Sequence, residues 1–242
     1  MVSNSLFFSK LSAFHKQETP FVAFRFPNSN LLNLRAANTD SISPTFLTKK
    51  PGFIIMPFSL QKKGYLIPKE EAFSTKIVSS NKVFSSTKPL IKSNSLSTQK
   101  KRYLKTVSDI ISKISTTELT KLVYAESFDF DVDDNNFNDY FQRLLNSNPN
   151  SFCYLFYHPK EGFWIGASPE TLLTVEDKKL TTMALAGTKT RGVSKWGKKE
   201  ILEQKIVQNE IQKDLMPYCK SLQAEKTHTS KAGNIDHLKT VL

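Results

Sequence analysis

"GFWIGASPETLLTVEDKKLTTMALAGTKTRG", residues 162–192, decides how the chain is read. Its apolar runs GFWIG, TLLTV and LTTMAL are each the length of one strand, and ASPE and EDKK interrupt them, so the stretch reads as successive strands joined by polar corners. Two corners stand out in a chain with only eight glycines and eleven prolines. Gly166-Ala167-Ser168-Pro169 delivers a carboxylate, Glu170, directly behind a proline turn. Ala186-Gly187-Thr188 reads as a second turn, offering backbone N–H groups beside a hydroxyl, an arrangement that can hold a carboxylate. Either this is an ordinary hairpin region with Glu170 as a turn-capping acid, or the corners build a pocket for something anionic.

Working outward, FCYLFY (152–157) reads as a further strand, preceded by a helix near 136–146 that gathers Phe137, Phe141, Leu144 and Leu145 on one face. Acidic residues just before that helix suit its N-terminus. A long helix, about 197–219, carries Leu202, Ile206, Val207, Ile211 and Leu215 toward a core. Upstream, 101–114 has an apolar stripe at helical spacing, and ELTKLVYAES (118–127) reads as a strand. Residues 73–99 are rich in serine and lysine and read as a linker, whereas 1–70 hold short strands, with Phe21–Phe26 and Phe53–Phe58 the clearest. The sum is an α+β fold, layered and mainly antiparallel, in two parts, 1–98 and 99–242.

With 242 residues, 39% of them apolar, the chain can bury a sizeable core. The formal net charge of +12 is blocky: eight basic and no acidic residues lie between Ser74 and Lys105, against six acids and no base from Glu126 to Asp139. The basic block has few interleaved aromatics and no nucleic-acid-binding signature, so no nucleic-acid partner is expected. Cys153 and Cys219 have no CxxC spacing, which argues against a disulfide framework and a zinc site. The opening MVSNSLFFSKLSAF is a poor secretory signal, and no apolar run is long enough to cross a membrane. A cytoplasmic protein is expected.

Familiar signatures are missing: there is no GxGxxG, P-loop or HExxH. GASPE departs from a nucleophile elbow at Glu170, where that motif needs glycine. DFDVDD (129–134) opens like a calcium loop but has Asp134 at its sixth position, and reads as a solvated acidic turn. His15, His158, His228 and His237 show no ligand spacing. Lys121 alone is a solvated lysine on a strand, and Glu203 alone a helix-rim residue.

Taken together, GFWIGASPETLL, MALAGTKTRG and WGKKEILEQKIVQNEI resemble the chorismate-utilising enzymes, most of all isochorismate synthases, and PFVAFRFPNSN with GFIIMPF is similar to the amino-terminal part of the menaquinone-pathway members. The resemblance implies the layered chorismate-binding (anthranilate synthase component I-like) fold, with residues 99–242 as the catalytic part. It implies Lys121, in KLVYAE, as the base that activates water, and Glu170 as the acid that protonates the departing 4-hydroxyl of chorismate. A lysine base needs its amine neutral and the acid needs its carboxyl protonated, which opposed environments achieve. It further implies substrate contacts at Gly187, Thr188 and His237, Glu203 as a ligand for Mg2+, and a monomer. Lys121 and Ala186 favour water over ammonia as nucleophile; salicylate synthases share the lysine. The resemblance also shows departures. Glu126 stands where the family's strand carries arginine, and the sequence stops at HLKTVL where family members continue. A truncated member, with open strand edges and little activity alone, is therefore expected, the alternative being a non-catalytic remnant that binds chorismate.

Overall fold

The computed structural model describes residues 1–37, 40–42, 50–59, 61–69, 71–77, 93–127, 132–192, 195–232 and 234–242. In chain order the elements are α1 (Asn4–Lys16), β1 (Phe21–Arg25), β2 (Leu31–Ala36), β3 (Asp40–Ile42), β4 (Gly52–Ile55), β5 (Gly64–Pro68), β6 (Glu71–Lys76), α2 (Ser93–Ile114), α3 (Phe137–Ser147), β7 (Phe152–His158), β8 (Gly162–Ser168), β9 (Thr174–Glu176), β10 (Lys179–Thr181), β11 (Met183–Thr190), α4 (Lys198–Leu215), β12 (His228–Ala232) and β13 (Ile235–Val241). They group into two compact units, but not at residue 98: one comprises Met1–Ser85 with Asp133–Pro169, the other Ser86–Val132 with Glu170–Leu242. The expected linker is cut at both ends, since β6 runs to Lys76 and α2 starts at Ser93, while 78–92 lies outside the described residues.

The first unit is built on an antiparallel sheet in the order β6-β2-β1-β7-β8. Strand β1 is buried along its whole length because both faces are covered. Residues alternate between faces along a strand. Phe21 and Ala23 meet Cys153, Leu155 and Tyr157 of β7 in a core with Phe7 and Leu11 of α1 and Phe137, Phe141 and Leu145 of α3. The intervening Val22, Phe24 and Phe156 pack instead with Ile67, Phe53 and Tyr65 of the three-stranded sheet β3-β5-β4. Helix α1, absent from the strand-based reading of 1–70, is capped by Ser3, whose hydroxyl accepts from the Leu6 N–H. Helix α3 follows a 3-10 turn over Asp134–Asn136, with Asp133 Oδ1 accepting from Asn135 N–H at 3.0 Å. That capping role suits an acidic turn rather than a calcium loop; residues 129–131 lie outside the described set. Its C-terminal carbonyls are received by the buried Arg25, which donates to Leu145 O at 3.0 Å and to Asn148 O.

The second unit holds the antiparallel sheet β11-β13-β12, a β9-β10 ribbon, α2 and α4. The described residues bury few apolar side chains here, chiefly Ala184, Ala186 and Leu238, and leave Tyr103, Leu104, Ile111, Leu122, Leu202 and Tyr218 exposed. Two expectations fail in this unit. Residues 118–127 form no strand: the backbone finds no ladder partner among the described residues, and the segment is tied down through side chains instead. Helix α4 does not bury the predicted apolar stripe; Leu202 is 59% exposed and the helix's one buried residue is Gln204. The helix also ends earlier than expected, giving way at Met216–Tyr218 to a 3-10 turn containing Pro217, which has no N–H to continue the ladder.

Candidate active site

A cleft of about 530 Å³ in the second unit is lined by the apolar face of α2 (Tyr103, Val107, Ile110, Ile111, Ile114), by residues 120–124, and by Lys199, Leu202, Glu203 and Ile206 of α4. The apolar stripe read from 101–114 therefore faces this cleft. Inside it, Lys121 Nζ lies 3.1 Å from Glu203 Oε1, with the two side chains 22% and 33% exposed. The cleft thus joins two of the predicted site residues in one ion pair. Partial exposure limits what the pair adds to stability to about 0–1 kcal/mol, so its interest is chemical: an amine and a carboxylate converge on one partly apolar space.

At the edge of this segment the Tyr124 hydroxyl donates to Glu126 Oε2 at 2.5 Å, and the Arg102 guanidinium of α2 donates to Glu126 Oε1. The hydroxyl, then the guanidinium, hold the Glu126 carboxyl below the ordinary value of 4.5. Glu126 is thus paired with α2 through Arg102, a side-chain contact in a segment, 118–127, that forms no strand ladder among the described residues. The rings of Tyr103 and Tyr124, 5.4 Å apart, add to the same attachment.

Gly187 and Thr188 belong to a bulge inside β11, not to a turn that ends it. The pairing of β11 with β13 shifts register between Ala186 and Thr188. Gly187 has φ +72°, and a Cβ built there would meet the Glu200 carbonyl oxygen at 2.9 Å. Glycine is therefore required twice over, for its backbone conformation and for the close approach of the first turn of α4. Across the bulge, His237 Nδ1 lies 3.1 Å from Thr188 Oγ1 and 3.2 Å from Gly187 O. According to its tautomer this nitrogen donates to the carbonyl or accepts from the hydroxyl. Gly187, Thr188 and His237 are therefore one local cluster, and the Gly187–Glu200 approach joins it to the helix that carries Glu203.

Glu170 is exposed between β8 and β9 and is not among the residues that line the Lys121–Glu203 cleft. The first corner is also less of a turn than it read: Gly166, Ala167 and Ser168 are the end of β8, and Gly166 makes room for the Tyr154 ring, whose Cε1 would lie 2.5 Å from an added Cβ. Sequence reading missed Gln204, which is 3% exposed and bonded to the backbone of β11. A glutamine in a polar helix carries no hydropathy signal; its only mark is its place directly after Glu203.

Among the described residues no three of His, Cys, Asp and Glu gather into a metal-binding group. Glu203 is the one carboxylate among the cleft's lining residues, and its Oε1 is already engaged by the Lys121 ammonium at 3.1 Å, so a cation bound there would take one protein carboxylate and have to displace that contact. Among the same residues no helix is long and apolar enough to cross a membrane.

Two solved structures share the fold. DhbC from Bacillus anthracis, described as a 2,3-dihydroxybenzoate-specific isochorismate synthase, superposes with a TM-score of 0.67 at 20% identity, over 96% of this chain and 70% of that one. MenF, the menaquinone-specific isochorismate synthase from Escherichia coli, gives 0.51 at 14% identity, over 92% of this chain and 64% of its own. Among curated proteins, anthranilate synthase component 1 of Lactococcus lactis subsp. lactis (strain IL1403) is 31% identical over 90 residues, 37% of this chain and 19% of that protein. The same component of Mycolicibacterium smegmatis (strain ATCC 700084 / mc(2)155) is 28% identical over 113 residues, 45% of this chain and 21% of its own. The chain therefore spans about a fifth of the length of the curated relatives it matches. The family described as "Chorismate binding enzyme" matches residues 63–242, well over half of the sequence, and the chain belongs to that family.

Proposed function

We propose that the chain acts on chorismate as an isochorismate synthase, adding water at C2 and releasing the 4-hydroxyl as water. The observation that carries this reading is the meeting of Lys121 and Glu203 at 3.1 Å in a cleft of a chorismate-binding fold. In the proposed reaction Lys121 takes the proton of the attacking water as the new C2–O bond forms, the ring double bonds shift, and the C4–O bond breaks. Glu170 supplies the proton on which the leaving hydroxide departs as water, which requires it to approach the ring from outside the present cleft lining. Glu203 Oε1 cannot serve both an ammonium and a cation at full strength, so Lys121 must part from Glu203 before it acts as a base. Glu203 is the residue that would hold Mg2+, whose positive charge, when bound, offsets repulsion between this carboxylate and those of the substrate. Gly187, Thr188 and His237 would position the substrate through the bulge. A cytoplasmic monomer is part of the same proposal, and menaquinone synthesis is the pathway it would serve.

The test is incubation of the purified chain with chorismate and Mg2+, followed by separation of the products. Isochorismate supports the reading. Salicylate with pyruvate moves it to the sibling reaction, and calorimetric binding of chorismate without turnover identifies a non-catalytic binding protein.

A further inference from the structure

Helix α4 is held to its sheet by an unusual contact. Its one buried residue is polar: Gln204 Oε1 accepts from Ala186 N–H at 2.8 Å, and Nε2 donates to Ala184 O and to Thr240 Oγ1, both at 3.0 Å. Strand β11 is at the edge of the sheet. The glutamine amide thus offers Ala184 O a donor and Ala186 N–H an acceptor, as a neighbouring strand's peptide would, satisfying backbone groups that are costly to bury unpaired. Thr240, pairing with Ala184 across the ladder, links the amide to β13 as well. One residue before Gln204, about 100° round the helix, is Glu203, directed at Lys121. One residue beyond Ala186 is Gly187, against the first turn of the same helix.

We propose that Gln204 is a positioning residue: it locks α4 to the edge of β11 so that the Glu203 carboxylate and the Gly187–Thr188 bulge keep a fixed spacing. The inference deepens the chorismate reading and rests on it for its kinetic test. The experiment compares the full chain with Gln204→Ala, the isosteric Gln204→Glu, and Gln208→Ala, which alters only the 3.3 Å contact with Thr240 in the same network. Chorismate conversion is measured across Mg2+ concentrations, and exchange of the Ala186 amide is followed by NMR.

Gln204→Ala is expected to raise the Mg2+ half-saturation by about tenfold or more, while the chorismate KM moves by less than about threefold. The Ala186 amide should lose protection in Gln204→Ala and keep it in Gln204→Glu, which retains the accepting oxygen and so shows a smaller metal effect. Gln208→Ala should leave both unchanged. A folded Gln204→Ala with the original half-saturation, or one in which metal and substrate constants shift alike as in general loosening, overturns the proposal. If Gln204→Ala does not fold, an unchanged metal dependence in Gln204→Glu does the same. Should the parent chain not convert chorismate, the functional reading fails separately. Positioning is then judged by Mn2+ binding in electron paramagnetic resonance: binding weakened by both Glu203→Gln and Gln204→Ala supports it, and binding indifferent to either substitution overturns it.

Discussion

Replacing Gly187 by alanine separates two physical effects that meet at one position. The first is backbone strain: at φ +72° a residue with a Cβ is disfavoured, at about 1–3 kcal/mol. The second is a collision. The added carbon would lie 2.9 Å from the Glu200 carbonyl oxygen and 3.2 Å from the Glu200 Cβ. The nearer atom belongs to the helix backbone, so no rotamer change relieves it, and the first turn of α4 must retreat by a few tenths of an ångström. That movement strains the Gln204 contacts one turn on, and overpacking of this kind adds about 1–3 kcal/mol. Gly192 is the internal control, because it has φ +95° and, among the described residues, nothing within 4 Å of an added Cβ. Gly192→Ala therefore carries the strain without the collision. In urea titrations followed by circular dichroism, Gly187→Ala should be the less stable variant by about 1–3 kcal/mol, a lowering of roughly 2–4 °C in Tm per kcal/mol. Equal stabilities of the two variants would refute the close approach of helix and bulge.

Three further outcomes follow from the packing and the charges. Phe141, fully buried between α3 and the five-stranded sheet, should lose about 3–5 kcal/mol as Phe141→Ala in chemical denaturation, the usual range for deleting a core phenylalanine. The Glu126 carboxyl is held below 4.5 by the Tyr124 hydroxyl and by Arg102, so its contribution is complete above 4.5 and is lost as pH falls through the lowered folded value. An acid titration of stability should accordingly be flatter in Glu126→Gln. Burial lowers the His158 imidazole from 6.5, with Glu161 opposing and Lys160 reinforcing the shift. The unfolded chain then binds a proton that the folded chain refuses, so stability falls as pH drops below 6.5 until the lowered folded value is passed. His158→Phe should remove that slope, and NMR of the imidazole protons should show the lowered titration directly.

Much of the first unit could be read from the chain because local pattern and tertiary packing agree there. Phe137, Phe141 and Leu145 share the buried face of α3 as their spacing required, and the runs that became β7 and β8 were bounded by polar corners. The division into units was not legible. It depends on β1 pairing with β7, Phe21 opposite Tyr157, across an intervening stretch of which Ser86–Val132 belongs to the other unit. KLVYA has the composition of a strand, yet a strand exists only where another backbone completes its hydrogen bonds. Instead, Lys121 pairs with Glu203, while Glu126 receives Tyr124 and Arg102. The same limit applied at α4, where apolar periodicity pointed to Leu202 and the contact with the sheet is made by Gln204. Family resemblance supplied the candidate site only as a set of residue names. Its grouping, Lys121 with Glu203 and Thr188 with His237, came only from the fold.

The most direct test of the central claim is product analysis of chorismate incubated with Mg2+ and either the parent chain or Lys121→Ala. Isochorismate is expected from the parent at a low rate, with a further loss of about 10²–10⁴-fold on removing the lysine, the range for a general base. A parent chain that forms isochorismate at a rate indifferent to Lys121→Ala would contradict it.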